Sequence, residues 1–401
     1  MTYNEVLSAV FSLSGRGMDF GTERTRSILN ALDCPDKKLK IIHIAGTNGK
    51  GSVAEYLTQI LIAAGIKVGT FTSPAVFDYL EQFRIDGKPI EKELYARAFG
   101  CALKYADGAT QFEVETAGAL YAFALYGCEY AVVECGLGGT YDATNAISTK
   151  EVAVITSIGL EHTAILGNTL TDICKHKSGI IKGCPAVVSA YNPPEVIKYF
   201  KDLGAVVADK PVEIMSSNSK GSLFLYGGFG FFTEMVGAVQ PYNAAAAIEA
   251  ARLLGLEHGV IYLGVKAAKL GGRCEVLTTN GGRVYVLDGA HNPAAFLPLF
   301  ELVTSNYGKA DVIYGSLSDK NVGKNLEIIK SFAASVTLVP CDSSRNISME
   351  KLKQECKNCG IYAGECENLT AALENSNGKV TVVCGSFTLL REAQEWIEKR
   401  L

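Results

Sequence analysis

A lysine in a glycine-rich turn is the residue of this chain with the clearest chemical potential. The turn reads Gly46-Thr47-Asn48-Gly49-Lys50-Gly51-Ser52. Glycines let backbone N–H groups converge on phosphate oxygens, and the lysine adds a full charge to the partial charge of a helix N-terminus. The spacing departs from the standard P-loop pattern, because its first gap is shorter and Gly51 separates the lysine from Ser52. We predict that these seven residues bind nucleotide phosphates; the alternative is a tight turn with a solvated lysine.

Three further polar clusters follow predicted strands, and they contain Ser73, Glu134 and His162. Ligands in open α/β sheets bind where the strands end. Mg²⁺ prefers hard oxygen donors combined with phosphate oxygens, which suits Ser73 and Glu134, whereas histidine is a less usual ligand. A glutamate at the end of an apolar strand costs free energy unless a cation or a donor neutralises it. We predict a metal site here, although each cluster also fits a glycine-assisted turn with a capping side chain.

Two other segments allow two interpretations each. Lys177, in Lys175-His176-Lys177-Ser178, has by itself the pattern of a solvated basic helix face. The run Asp288-Gly289-Ala290-His291-Asn292-Pro293 follows a predicted strand and precedes a helix, with Pro293 suited to the first helical turn. That run predicts either helix capping by Asn292 or a contact to a nucleotide or a carboxylate.

Alternating strand and helix patterns must position these groups, and from about residue 40 they predict βα units around mostly parallel sheets. The fold class that we predict is α/β, with a P-loop-type domain of mostly parallel sheet followed by a smaller Rossmann-like domain. Gly271-Gly272 is the candidate linker, so the predicted domains are 1–270 and 273–401. Predicted strands are 41–44, 67–72, 130–135, 152–158, 186–190, 284–287, 311–314, 336–339 and 380–384. Predicted helices are 53–64, 91–106, 113–127, 171–181, 193–203, 241–255, 259–269 and 388–399, with short antiparallel strands in 212–236.

The charge and the hydropathy of the sequence argue against a nucleic-acid-binding, membrane-spanning or secreted protein. The 401 residues carry a formal net charge of −4, which gives no electrostatic reason to expect nucleic acid or an anionic membrane as a partner. No apolar run approaches the ~20 residues that span a bilayer, and the N-terminus lacks the basic region of a signal peptide. We therefore expect a cytoplasmic protein with small-molecule substrates.

The twelve cysteines are scattered, which is typical of reduced, buried thiols in a cytosolic chain. Cys356, Cys359 and Cys366 form the one cluster that could suggest zinc. A zinc site would need a fourth ligand, and no histidine lies near them in the sequence. We predict no metal there.

Taken together, these motifs resemble the folylpolyglutamate synthase/dihydrofolate synthase family, which belongs to the Mur ligase superfamily. They follow one another in the family's order from about residue 20 to residue 390. The segments that carry the resemblance are Gly46-Thr47-Asn48-Gly49-Lys50-Gly51-Ser52, Phe112-Glu113 with Thr116-Ala117, Glu134-Cys135-Gly136-Leu137-Gly138-Gly139, Asp142-Ala143-Thr144-Asn145, Thr156-Ser157-Ile158-Gly159-Leu160-Glu161-His162, Asp288-Gly289-Ala290-His291-Asn292-Pro293 and Gly385-Ser386-Phe387.

The resemblance implies an ATP-dependent ligase that joins L-glutamate to a folate-type carboxylate through an acyl phosphate and releases ADP and phosphate. The acceptor would be dihydropteroate, a tetrahydrofolyl-glutamate or both. Apart from the resemblance, we expect a monomer. The resemblance also implies roles for particular residues: catalysis by Lys50, Glu134, His162 and a carbamylated Lys177, Mg²⁺ ligation by Ser73, Glu134 and His162, ATP contacts from the phosphate loop with Asn243, Arg273, Asp288 and His291, and substrate contacts from Phe112 and Glu113.

Four positions depart from the family's usual pattern. Ala75 replaces a histidine, Gln82 and Thr140 replace arginines, and His176 replaces an acid. None of them is a predicted metal ligand or phosphate contact, so the ligase chemistry is expected to survive. Their effect on the choice of acceptor stays open.

Two other functions remain as alternatives. A Mur-type peptidoglycan-precursor ligase is disfavoured because the loop ends Gly-Lys-Gly-Ser rather than Gly-Lys-Thr-Thr. A non-catalytic nucleotide-binding homologue is disfavoured because such a protein should have lost some of Lys50, Glu134, His162 and Lys177.

Overall fold

The structure, a computed structural model, describes residues 1–17, 20–343 and 345–401. The chain forms two compact units. The first contains Met1–Val212 and Tyr242–Ala268, and the second contains Glu213–Pro241 and Lys269–Leu401. The chain therefore leaves the first unit once and returns to it. The functional division at 270 and 273 stays a prediction.

The first unit is built on an eight-stranded sheet in the spatial order β4-β3-β2-β5-β1-β6-β7-β8. Its strands are β1 Lys40–Ala45, β2 Val68–Phe71, β3 Phe83–Ile85, β4 Lys88–Pro89, β5 Tyr130–Glu134, β6 Val152–Ile155, β7 Ala186–Ser189 and β8 Val206–Ala208. Six neighbouring strands from β2 to β8 run parallel, while β3 and β4 form an antiparallel edge. Strand β1, which precedes the glycine-rich turn, is therefore central and lies between β5 and β6.

Helices cover the faces of this sheet. They are α1 Tyr3–Ser12, α2 Glu23–Ala31, α3 Lys50–Ala63, α4 Lys92–Leu103, α5 Gln111–Tyr126, α6 Thr163–Leu166, α7 Leu170–Ser178, α8 Pro194–Asp202, α9 Gln240–Leu253 and α10 His258–Ala267. Residues 52–58 of α3 are all buried, so this helix is enclosed on every side rather than amphipathic. A Cβ atom on Gly264 of α10 would lie 2.3 Å from the Ile60 Cα, which shows how closely α10 packs on α3.

The second unit contains two sheets. A three-stranded sheet in the order β11-β10-β9 comprises β9 Val212–Asn218, β10 Gly221–Tyr226 and β11 Phe229–Thr233. A six-stranded sheet in the order β12-β13-β17-β14-β15-β16 comprises β12 Glu275–Thr278, β13 Val284–Leu287, β14 Ala310–Tyr314, β15 Ala333–Leu338, β16 Ala363–Glu365 and β17 Val380–Cys384. Its helices are α11 Pro293–Tyr307, α12 Val322–Phe332, α13 Met349–Asn358, α14 Leu369–Asn375 and α15 Leu390–Glu398. Strand β12 alone pairs antiparallel in the larger sheet, which gives the Rossmann-like arrangement expected from the sequence.

The predicted α/β class and the predicted elements are confirmed, with boundaries that shift by a few residues. Helices α1 and α2, the β3–β4 edge and strands β8, β12 and β16 were not predicted. All twelve cysteines are free thiols. None of the helices in the described part of the chain has both the length and the apolar character needed to cross a bilayer.

Candidate active site

The glycine-rich turn lies at the carboxyl end of the central strand and opens directly into α3. Gly49 adopts φ 87°, a left-handed conformation that glycine adopts without strain. A Cβ atom on Gly49 would lie 2.6 Å from the Asn243 Oδ1 atom. The structure therefore places Asn243, a predicted ATP contact, directly against the phosphate loop, and only glycine leaves room for that contact.

Residues 156–159, which follow β6, form hydrogen bonds with the phosphate loop. The Thr47 N–H donates to the Ser157 carbonyl at 2.7 Å, and the Thr156 hydroxyl donates to the Asn48 carbonyl at 2.7 Å. The Thr47 hydroxyl also donates to the Gly159 carbonyl at 3.1 Å. These bonds hold the backbone of the loop in one conformation.

Lys50 and Glu134 face each other at this edge of the sheet. Lys50 is the first residue of α3, and its Nζ atom lies 3.7 Å from the Glu134 Oε1 atom. Glu134, the last residue of β5, is only 4 % exposed. Lys50 also donates to the Thr47 carbonyl at 3.2 Å, which keeps the ammonium beside the loop. The two residues thus form a charge pair that is longer than a direct hydrogen bond.

Lys177 is buried, which contradicts the solvated basic face that its local sequence indicates. Its side chain extends from α7 beneath the phosphate loop, and Nζ donates to the Gly46 carbonyl at 2.6 Å. Burial, and secondarily the positive charge of Lys50, lowers the pKa of Lys177 to about 7. An amine with that pKa is substantially neutral at physiological pH.

Ser73 and His162 are placed by strand topology. Ser73 follows β2 and His162 follows β6, and the strands β2, β5, β1 and β6 are consecutive neighbours. The parallel strands therefore carry Ser73, Glu134, the phosphate loop and His162 to one edge of the sheet. His162 adopts φ 50° at the start of α6, and its Nε2 atom lies 3.9 Å from a Glu161 carboxylate oxygen. Among the described residues, no three His, Cys, Asp or Glu side chains are grouped to hold a metal.

The two predicted substrate residues lie at the start of α5. Glu113 closes a capping box with Thr110, and the Arg24 Nε donates to both Glu113 carboxylate oxygens at 3.0 Å. Phe112 packs against the turn after Glu134, because a Cβ atom on Gly136 would lie 2.7 Å from its ring. The contacts of Glu113 are thus structural, and a substrate role for either residue stays a prediction.

An apolar pocket of about 370 Å³ lies beside the turn that follows Glu134, and the sequence reasoning missed it. Phe20, Tyr141 and Ile165 line it although they are 44 %, 56 % and 37 % exposed. Its other lining residues are Leu137, Gly138, Gly139, Leu166 and His176. Exposed apolar side chains around one concavity are typical of a binding site for an apolar group. The one sequence signal was the glycine-rich run that ends at Gly139.

In the second unit, the predicted nucleotide contacts gather around Phe387. The Arg273 guanidinium stacks on the Phe387 ring at 4.5 Å, and the His291 ring lies 5.9 Å from it. Asp288, at the end of β13, accepts from the Cys274 N–H at 2.7 Å and the Ala290 N–H at 2.6 Å. Burial raises the pKa of the Asp288 carboxyl.

The capping interpretation of the Asp288 run is confirmed. The Asn292 side chain accepts from the Ala295 N–H at 2.9 Å at the start of α11, and Pro293 occupies the first helical turn. This capping role does not compete with a ligand role for Asp288 or His291, because other residues of the run supply the cap.

Most of the chain matches the models of two protein-family domains. Residues 44–251 match the Mur ligase middle domain, and residues 272–387 match the Mur ligase glutamate ligase domain. The dihydrofolate synthase/folylpolyglutamate synthase of Escherichia coli is 30 % identical over 98 % of this chain and 95 % of its own length. The enzyme of the same name from Bacillus subtilis is 31 % identical over 82 % of this chain and 83 % of its own length.

Solved structures show the same relationship. E. coli FolC in complex with DHPP and ADP has a TM-score of 0.87 at 28 % identity and covers 100 % of this chain and 98 % of its own. A bifunctional folylpolyglutamate synthase/dihydrofolate synthase with Mn, AMPPNP and L-glutamate bound has a TM-score of 0.83 at 28 % identity, with 98 % of both chains covered. The chain belongs to the Mur ligases and, among them, to the folylpolyglutamate synthase/dihydrofolate synthase family.

Proposed function

We propose that this protein is an ATP- and Mg²⁺-dependent ligase that joins L-glutamate to a folate-type carboxylate and releases ADP and phosphate. The observation that carries the proposal is the convergence of three ionisable groups on one loop. Lys50 lies 3.7 Å from the buried Glu134, and Lys177 donates to the Gly46 carbonyl of the same loop. Phosphoryl transfer from ATP needs this combination of cradle, cation and metal-binding acid.

We propose that Glu134, Ser73 and His162 hold the divalent ion. Glu134 and Ser73 are oxygen donors that fit Mg²⁺, which takes one or two carboxylates and completes its shell with phosphate oxygens and water, whereas His162 is the less usual ligand of the set. Glu134 is a carboxylate buried at the end of an apolar strand, and Lys50 at 3.7 Å leaves it within reach of a second cation. A divalent ion held there would neutralise phosphate charge and polarise the phosphoryl oxygens. A relative binds Mn together with AMPPNP and L-glutamate, which supports a divalent ion in the reaction.

The chain's own residues would act on two successive displacements. In the first, the acceptor carboxylate attacks the γ-phosphorus of ATP, the bond to the β-phosphate oxygen breaks, and ADP leaves. Both reactants are anions, so the Lys50 ammonium and the loop amides reduce their repulsion and stabilise the charge on the transferring group. In the second, the neutral α-amine of L-glutamate attacks the acyl phosphate, an amide forms, and phosphate leaves with loss of a proton from nitrogen.

We propose further that Lys177 is carbamylated in the active enzyme. The reaction joins the neutral amine to CO₂ and releases one proton, so it needs a deprotonated lysine. Burial supplies that condition by lowering the pKa of Lys177 to about 7. The product would be an anion beneath the phosphate loop, with a charge suited to the metal and to Lys50.

The acceptor would bind in the apolar pocket beside Leu137 and Tyr141. The pocket opens next to the turn that follows Glu134, the last residue of β5, so the acceptor ring would lie beside the proposed metal ligand. We assign Phe112, and with it the α5 terminus that Glu113 stabilises, to the acceptor side of the site. The proposed ATP contacts are Asn243, Arg273, Asp288 and His291.

We also propose that the protein is a monomer and that it works in the cytoplasm. Its proposed functional domains are 1–270 and 273–401.

The test is phosphate release by the purified protein with ATP, Mg²⁺ and L-glutamate. Dihydropteroate and tetrahydrofolate are supplied separately, a muramyl-peptide precursor serves as the third acceptor, and Lys50→Ala controls for contaminating ATPase. Release that requires glutamate and a pteridine acceptor supports the proposal. Release only with the muramyl acceptor, or none with any of them, would overturn it.

A further inference from the structure

The turn after Glu134 and the end of α7 approach each other more closely than side chains allow. A Cβ atom on Gly139 would lie 2.6 Å from the His176 carbonyl oxygen and 2.9 Å from the Lys177 Cα. From the other side of this contact, at the end of α7, a Cβ atom on Gly179 would lie 2.1 Å from the Thr140 Oγ1 atom. The two backbones are therefore in direct contact on both sides of Lys177.

Thr140 forms the polar connection within this contact. Its N–H donates to the His176 carbonyl at 2.7 Å, and its hydroxyl donates to the same oxygen at 2.9 Å. His176 lies in the last turn of α7, where carbonyl oxygens have no partner inside the helix. A threonine from a distant loop thus supplies both hydrogen bonds that this terminal carbonyl can accept.

A second layer of hydrogen bonds holds Thr140 in place. The Asn145 amide donates to the carbonyls of Thr140 at 3.0 Å and of Gly179 at 3.1 Å. Lys150 donates to the Asn145 Oδ1 atom at 2.7 Å and to the Ile180 carbonyl at 2.8 Å. The loop and the helix end are consequently held as one rigid piece on both sides of Lys177.

We infer that Thr140 is a positioning residue for Lys177. It fixes the turn of α7 from which the Lys177 side chain reaches the Gly46 carbonyl, and so it sets where the amine lies under the phosphate loop. The inference rests on the proposed carbamylation of Lys177. The backbone of His176 and the rest of the residue can be tested separately. Its carbonyl accepts from Thr140, while the residue also lines the apolar pocket.

The experiment compares three variants for carbamate content and kinetics. Thr140→Val removes only the hydroxyl bond, Thr140→Ser keeps it, and His176→Ala keeps the carbonyl while changing the pocket. Carbamate is measured as the ¹³C signal of protein equilibrated with ¹³C-bicarbonate, and kcat and KM are measured at low and high bicarbonate. Thermal unfolding of each variant shows whether it is folded.

We expect Thr140→Val to lower carbamate occupancy and kcat by roughly three- to tenfold, the range supported by one neutral hydrogen bond, and high bicarbonate to restore both. Thr140→Ser should match the wild type within about twofold. His176→Ala should instead raise KM for the acceptor without lowering carbamate occupancy. A folded Thr140→Val protein with wild-type occupancy would refute the role of Thr140 and leave the proposed function standing. An active wild type with no carbamate signal would refute the carbamylation itself.

Discussion

Each of the two units contains a short turn between a buried strand and a helix, and the two turns differ in whether a side chain caps the helix. Between β1 and α3, Gly49 occupies the cap position, and no side chain of the described residues caps the helix. Between β13 and α11, Asn292 accepts from the Ala295 N–H and caps the helix with the protein's own oxygen. The first turn, which we call the open turn, therefore has no side-chain cap at its helix start within the part of the chain that the structure describes, whereas the second, the closed turn, satisfies the Ala295 N–H internally and presents Asp288 and His291 instead. An uncapped helix N-terminus suits an anion, so similar local topology gives a helix start fit for an anion in one unit and a capped helix start in the other.

The largest effect should come from the open turn. Lys50→Ala removes the ammonium beside the phosphate loop, so we expect kcat to fall by roughly 10³, and the loss of a partner for the buried Glu134 should lower the unfolding temperature without unfolding the protein. Steady-state phosphate release and thermal unfolding measure the two quantities. The matched control is Lys40→Ala on the same strand–turn unit, because Lys40 pairs with Glu129 in an exposed ion pair. Equal activity of the two variants would mean that the open turn does not bind the nucleotide.

Glu134→Ala should produce the next largest effect. Loss of the buried carboxylate is expected to slow turnover by roughly 10² and to raise the Mg²⁺ concentration needed for half-maximal rate. Titration of the rate with Mg²⁺ checks this. Glu129→Gln, which removes an exposed acid at the other end of the same strand, serves as the control. A Glu134→Ala enzyme with wild-type Mg²⁺ dependence would remove this residue from the metal site.

Substitution of Lys177 should show how much its buried amine lowers the stability of the folded protein. With its pKa near 7 in the folded protein and near 10.4 unfolded, the unfolded state binds more protons between these values. The buried amine therefore destabilises the protein fully below pH 7, and the destabilisation disappears as the pH approaches 10. In CO₂-free buffer, Lys177→Met should raise the unfolding temperature by at least about 2 °C at pH 6 and much less at pH 10. A gain that does not depend on pH would contradict the lowered pKa.

The smallest effect is expected at the closed turn. Asn292→Ala leaves the Ala295 N–H without its cap, which should cost about 1 kcal/mol of the free energy of unfolding. Because the Asn292 side chain serves the helix, kcat should stay within about twofold of the wild type. Urea denaturation and the phosphate assay test the two statements, with Asn292→Asp as the variant that retains a cap. A large loss of kcat in a stable Asn292→Ala protein would show that this turn also handles substrate directly.

The sequence predicted the strand, glycine-rich turn and helix around Lys50 and the parallel strands, because glycine spacing and runs of apolar residues are local signals. It did not predict that Lys177 is buried, since its neighbours Lys175 and His176 have the pattern of a solvated face. That burial depends on Gly139, 38 positions earlier in the chain, which lets another backbone contact the end of α7. The apolar pocket was missed for the same reason, because Phe20, Tyr141 and Ile165 come together only in the folded chain. Helices α1 and α2 precede the first strand and therefore lack the βα alternation that marked the others.

The excursion of the chain through 213–241 has a consequence for synthesis on the ribosome. Helix α10, whose Gly264 packs against Ile60, follows that excursion, so α3 lacks its cover until residue 268 has emerged. A nascent chain or a recombinant fragment that stops at Val212 would expose an apolar helix side to water and should aggregate. Nucleotide affinity should therefore arise late in translation, and a split of the gene between the two units would have to keep 242–268 with the N-terminal part.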